Sequence, residues 1–251
     1  VQLKLAVCTP WSSPFMFTRY VDAQLNLQYP EGYDVRFFRG QGWCPARRHI
    51  DMCEKALNWG ADLICITGAD QEHPEDMLQR LVARFNEGYE VISALVPARG
   101  YVGWQDMQPF QRMAWRFKKR PSNSLSLCNA LTQENPDVEV INPADGDVQE
   151  INFIGSGVLM FHRDHLLSLK QPWFSETFNP NTMERLACMD TGFVWRLQTE
   201  AWAHVYVDTT IEVHHDHIFS IDHTYSERFA DWAKPGTGDP AVCIFPRENL
   251  P

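Results

Sequence analysis

The sequence contains no run near the ~20 apolar residues that a membrane-spanning helix needs, no internal repeat and no low-complexity linker. None of its seven cysteines stands in a CxxC pair, and the count is odd. That argues against a disulfide frame and a zinc ribbon and suits free thiols in a reducing compartment. Surplus positive charge is also missing: the 251 residues carry a formal net charge of −10. Non-specific nucleic-acid binding runs on phosphate neutralisation by Lys and Arg, so the charge argues against it. The opening VQLKLAV is too short for a secretory leader and runs straight into a strand and turn. These absences lead to the expectation of a soluble, cytoplasmic globular protein, long enough for one large domain or two small ones. One basic cluster breaks the acidic trend: Arg116, Lys118, Lys119 and Arg120. The plain reading is a solvated helix end before Pro121; the other is a contact for an anionic acceptor.

What is present is mostly alternation. LKLAVCTP reads as a strand stopped by Thr9-Pro10, and YDVRFFRG as a second stopped by Gly40. ARRHIDMCEKALNWG sets Ala46, Ile50, Cys53 and Leu57 at helical spacing, with Gly60 placed to end the helix. DLICIT is a third strand, PEDMLQRLVARFNEG a second helix stopped by Gly88, and YEVISALVP a fourth strand. Strands alternating with helices predict an α/β fold with a mostly parallel central sheet flanked by helices, Rossmann-like in its layering. From about Tyr101 to Val148 periodicity fades, and turn formers predict loops with short strands over a site. INFIGSGVLMFHRDHLLSL reads as a strand with a glycine break and then a helix, MDTGFVWRLQTEA as a helix, and AHVYVDTTIEVHHDH as β-rich. From Tyr225 to Pro251 no clear element follows.

Three polar clusters stand out. In ICITGADQEHPEDML, Asp70 hangs on a tight loop where a buried strand has run out and a helix is about to open. In open α/β sheets that carboxyl edge is where ligands bind, although a lone Asp there serves equally well as a helix N-cap. Asp190 opens another helix and, taken alone, reads as a cap. HHDH, His214 to His217, closes a strand; His215 and His217 share a face of an extended chain while His214 points away.

The order and spacing of four segments resemble a GT-A type glycosyltransferase, close to the family-2-like enzymes of bacteria and phages. GQGWCPARRHIDMCEKALNWGADLICITGAD is similar to that family's arginine-bearing helix and the strand ending in Asp-x-Asp. INFIGSGVLMFHRDHLLSLKQPWF resembles the acceptor-lining segment, MDTGFVWRLQTEAWAHVYVDT the Glu-Asp helix and its following strand, and IEVHH the strand that brings a histidine to the metal. The likeness spans most of residues 3–217 and departs at two places: Gly68 stands for the first Asp of Asp-x-Asp, and Met189 for the acid before Asp190.

The resemblance implies one GT-A-like unit over residues 1–251, with a nucleotide-binding half (1–100), an acceptor-side half (101–224) and a tail (225–251). It implies a UDP- or GDP-type sugar donor, and a saccharide or other hydroxyl compound as acceptor, with nucleic acid the less favoured choice. Mn²⁺ or Mg²⁺ would be held by Asp70 and His215, with His217 in reserve. A hard divalent cation suits carboxylate oxygen, and an imidazole tilts the choice toward Mn²⁺. Thr9 and Pro10 match where the family holds the base; Arg47, Ala69 and Asp70 match its nucleotide contacts. Arg47 in a helix first turn opposes the dipole, which a nearby anion would justify. Gly155-Ser156-Gly157 would let backbone approach sugar or acceptor, or form a β-bulge. Trp173 would stack on a sugar or fill a core. Asp190 matches the general base of inverting members. Two rival expectations are a zinc-type hydrolase built on Asp70, His215 and His217, and a non-catalytic sugar- or nucleotide-binding module of the same fold.

Overall fold

The computed structural model describes residues 2–11, 17–97, 114–118, 138–178, 181, 185–216 and 220–221. In chain order the elements of the first half are β1 (Leu3–Pro10), α1 (Thr18–Asn26), β2 (Tyr33–Gly40), α2 (Pro45–Trp59), β3 (Leu63–Thr67), β4 (Gln71–Glu72), α3 (Met77–Asn86) and β5 (Val91–Leu95). There follow β6 (Ala114–Phe117), β7 (Val138–Val140), β8 (Val148–Glu150), β9 (Phe153–Ile154), β10 (Val158–His162) and α4 (Arg163–Ser168). Then come β11 (Thr177–Phe178), β12 (Arg185–Ala187), α5 (Met189–Thr199), β13 (Val205–Glu212), β14 (His214–Asp216) and β15 (Ser220–Ile221).

A seven-stranded sheet in the order β2-β1-β3-β10-β5-β13-β8 organises the chain. β2, β1, β3, β5 and β13 run one way; β10 and β8 run against them. The sheet is therefore mostly parallel, as expected, but β10 enters between β3 and β5, antiparallel to both. Alternation along β1 and β3 divides the core. Ala6, Cys8, Ile64 and Ile66 face α2 and α5 through Met52, Ala56, Phe193 and Leu197. Leu5, Val7, Leu63 and Cys65 face α3 through Met77, Leu78 and Leu81. Central strands covered on both faces read as unbroken apolar runs, which is what LICI (Leu63–Ile66) is.

The local signals behave as their chemistry requires. Pro45 opens α2, and Gly60 closes it at φ 81, with its N–H on the carbonyls of Ala56 and Leu57. One element was not foreseen and one expectation needs correction. α1 follows a stretch that carries no helix signal: of its residues only Tyr20 and Ala23 are buried, and no side chain caps it. Trp115, Arg116 and Phe117 of the WRFKKRP cluster are strand, where a helix end was expected. Arg116 lies on β6 and is neutralised by Glu139 and Asp145, while Lys119 and Arg120, like the tail 225–251, lie outside the described residues. Among the described residues no helix is long and apolar enough to cross a membrane, and Cys8, Cys44, Cys53, Cys65 and Cys188 are free thiols.

Candidate active site

The carboxyl edge of β3 gathers the candidate residues. β3 ends at Thr67, and Gly68-Ala69-Asp70 turns into β4. β4 pairs antiparallel with β14, in a register that sets His215 opposite Gln71 and His214 opposite Glu72. That ladder brings His215 Nε2 to 3.3 Å from Asp70 Oδ1, both side chains mostly buried. The other imidazole nitrogen, Nδ1, lies 2.9 Å from the carbonyl of Pro97, just past β5. A carbonyl only accepts, so Nδ1 carries the proton. In the neutral ring the Nε2 lone pair then faces a carboxylate oxygen. Two acceptors in that position call for a positive charge, supplied by a proton on Nε2 or by a shared cation. The separation of 3.3 Å suits either a direct ion pair or two ligands of one cation. Two ligands at ~2.1 Å from one octahedral cation, roughly at right angles, stand about 3 Å apart. His214 turns the other way, onto Glu72 at 3.4 Å, as strand alternation predicts.

Gly68 explains itself sterically. A Cβ there would lie 2.6 Å from Cδ and 2.7 Å from Nε2 of Gln71, a buried side chain. The amide of Gln71 takes up the space, and its Oε1 accepts from Gly68 N–H at 3.3 Å. Gly68 N–H also donates to Gly157 O at 2.7 Å. Gly157 is constrained from the same side: a Cβ would run into Gln71 Nε2. The Gly155-Ser156-Gly157 loop is thus locked against the Asp70 turn.

The same loop reaches α5. Ser156 N–H points to Asp190 Oδ2 at 3.5 Å. Asp190 Oδ1 accepts from the Cys188 thiol at 2.6 Å and from Thr191 N–H at 3.0 Å. Cys188 is the N-cap residue, so Asp190 sits inside the first turn and is not the cap itself. Burial, together with the Asp190 charge, pushes the Cys188 thiol up. Met189 packs against the core.

Ser156 Oγ lies 3.1 Å from His49 Nε2, and His49 Nδ1 lies 2.9 Å from Pro45 O. Burial holds His49 below its ordinary value, with the Pro45 carbonyl and Asp190 pulling the other way. His73, behind the Asp70 turn, is pushed down to about 4 by burial, against the opposing pull of Asp70. Neither of its ring nitrogens has a hydrogen-bond partner among the described residues.

The donor-side residues are more dispersed. Thr9 is buried; its hydroxyl meets Thr67 Oγ1 at 2.9 Å and accepts from Tyr20 OH at 3.1 Å. It borders a pocket of about 320 Å3, between α1 and β2, whose walls include Tyr20, Tyr29, Phe37 and Arg39. Pro10 pairs with Gly40 at the end of the sheet. Arg47 is half exposed and pairs with Glu54 at 3.2 Å. Ala69 is half-buried. Trp173 is a core residue: it is 5% exposed and donates from Nε1 to Leu169 O.

His49 and Gln71 escaped the sequence reading. His49 shares a helix face with Cys53, where an imidazole reads as packing, and nothing local marks Gln71. Among the described residues no group of three or more His, Cys, Asp and Glu is placed to hold a metal ion; His217 lies outside them.

No protein-family model matches the chain, and no curated protein matches it in sequence. Solved structures do resemble it. A197 from STIV aligns with a TM-score of 0.52 at 16% identity, covering 88% of this chain and 87% of that one. CMP:2-keto-3-deoxy-manno-octonic acid synthetase complexed with CTP aligns at a TM-score of 0.39 and 11% identity, covering 82% of this chain and 88% of the other. UDP-glucose pyrophosphorylase complexed with UDP-glucose aligns at 0.35 and 10%, over 72% and 59%. The chain is a mixed α/β protein with a mostly parallel central sheet between helices, and it shares that fold with A197.

Proposed function

We propose that the protein is a metal-dependent glycosyltransferase that moves a sugar from a nucleoside-diphosphate sugar to an acceptor hydroxyl. The observation that carries this reading is the approach of His215 Nε2 to Asp70 Oδ1 at 3.3 Å, with Nδ1 committed to a backbone carbonyl. Asp70 and His215 fit as two neighbouring ligands of one hard divalent cation, Mn²⁺ or Mg²⁺. Two protein ligands leave the rest of the shell to diphosphate and water, so metal affinity is weak without nucleotide. A bound cation would offset the charge that builds on the diphosphate as it leaves.

The chain's own groups account for the remainder. Asp190 takes the proton from the acceptor hydroxyl as that oxygen attacks the anomeric carbon. Its Oδ1 is tied down by Cys188 and Thr191, and Oδ2 faces the Ser156 loop. Arg47, at the head of α2, meets the diphosphate by exchanging Glu54 for the ligand. The pocket beside Thr9 gives an aromatic and cationic flank to the nucleotide half.

The test is thermal unfolding with UDP and GDP, with and without Mn²⁺. A ligand at a hundredfold its Kd adds ~2.7 kcal/mol, or about 5–10 °C for a chain of this size. We expect the rise to need nucleotide and Mn²⁺ together and to vanish in Asp70→Asn and in His215→Ala. Mass spectrometry of the nucleotide sugar slowly consumed then names the donor. A rise with Zn²⁺ alone would favour the hydrolase, and ligand binding without donor breakdown the non-catalytic module.

A further inference from the structure

His49 is a costly residue to place where it is. It is 3% exposed, and burial disfavours its charged form. A Phe or Leu would fill the same volume without a polar group to satisfy. Yet both ring nitrogens are used. Pro45 O accepts from Nδ1–H at 2.9 Å, which leaves Nε2 as the acceptor for the Ser156 hydroxyl at 3.1 Å. The bond is long-range, spanning 107 positions of the chain.

We propose that His49 is a positioning residue for Asp190: it holds the Ser156 hydroxyl, and thereby fixes the Ser156 N–H toward the Asp190 carboxylate. The role of Asp190 is taken from the reading above, while the chain of contacts stands without it. Two further observations support the assignment. First, Ser156 is the one residue of its loop with a side chain to hold. Its neighbour Gly157 is already fixed by Gly68 N–H and hemmed in by Gln71, so the hydroxyl sets what remains of the loop's freedom. Second, His49 reaches α5 by an apolar route as well. Its ring lies against Phe174 at 4.9 Å between centroids, and Phe174 stacks on Phe193 of α5 at 4.2 Å. α2 therefore carries Arg47 on its first turn and, two residues on, the group that orients the acceptor-side carboxylate. The imidazole thus adds a link between donor and acceptor halves to that of Gly68 and Gly157.

The test reads the Ser156 amide directly, by NMR hydrogen exchange on 15N-serine-labelled full-length protein without nucleotide or metal. Ser156→Ala assigns the signal, and Asp190→Ala shows the effect of removing its acceptor. In His49→Phe, which keeps a ring on Phe174 and loses the acceptor, we expect Ser156 exchange to rise on the order of tenfold, the loss of one hydrogen bond, with its shift moving toward the Asp190→Ala value. In His49→Gln, whose amide oxygen can take the hydroxyl, exchange and shift stay near wild type. The Ser93 amide, within β5, reports the fold and stays unchanged. An unmoved Ser156 amide in His49→Phe overturns the proposal. So does a His49→Gln signal displaced as far as that of His49→Phe, or an equal rise at Ser93, which would mean general loosening. Failure of the glycosyltransferase reading would show in the nucleotide assays and leave this measurement intact.

Discussion

Gly68 offers the sharpest check on the site's packing, because the resembled family carries an acid there. Consider Gly68→Asp. No positive φ is involved at this position, so space alone decides the outcome. The new Cβ would lie 2.6 Å from Gln71 Cδ, 2.7 Å from Nε2 and 3.0 Å from Oε1. Such contacts with the far end of a side chain are ordinarily relieved by rotation. Here Gln71 is 2% exposed and wedged between Gly68 and Gly157, so moving it off one glycine drives it onto the other. Overpacking of this kind costs ~1–3 kcal/mol, and replacing Gly recovers about 0.4–1 kcal/mol through the unfolded chain. Overpacking wins, by roughly 1–2 kcal/mol, which for a chain of this length lowers Tm by about 2–8 °C. Scanning fluorimetry measures it. Gly68→Asp/Gln71→Ala should be less destabilised than the sum of the single changes, since shortening Gln71 removes the obstruction. A Gly68→Asp protein as stable as wild type, or strict additivity in the double variant, would refute the account of why this position lacks its acid.

Asp190→Asn should lower turnover ~10²–10⁴-fold, the usual worth of a general base, while UDP or GDP binding with Mn²⁺ is unchanged by calorimetry. Arg84 binds Asp208 at 2.8 Å and ties α3 to β13; Arg84→Met strands a buried carboxylate and should cost about 2–4 kcal/mol in urea unfolding. Burial alone would raise Asp208, but the hydrogen bonds from Arg84 and Thr210 outweigh it and hold its carboxyl below the ordinary range. That stability is present above the unfolded value and is lost as pH falls through the folded one, so the variant should show a shallower loss below about pH 4. His73 is held neutral at about 4; the unfolded chain takes up the proton first, so stability complete above about pH 6.5 is lost as pH drops toward 4, by on the order of 3 kcal/mol. His73→Leu should flatten that stretch in urea midpoints taken from pH 7 to pH 4.

The sheet and its two cores were legible because burial leaves a local trace. LICI is apolar throughout since both faces of β3 are covered, and α2 shows its face through Cys53 and its end through Gly60. The candidate site residues stand out for a similar reason: Asp70 and Asp190 interrupt apolar patterns where strands or helices begin or end. Other features left no such trace. α1 buries too little to write a period, and the WRFKKRP charges say nothing about the strand beneath them. The antiparallel insertion of β10 is invisible because alternation reads the same in either direction.

The sequence by itself thus determined which faces are buried, which residues carry charge and, in outline, the layering of the fold, since each follows from spacing over a few residues. Only the tertiary structure decided that His215 presents Nε2 to Asp70, that Gln71 occupies the room of a missing acid, and that His49 reaches Ser156. Those facts depend on strand register and on which hydrogen-bond partner claims each nitrogen. Both are settled by groups far apart along the chain, and no local pattern encodes them.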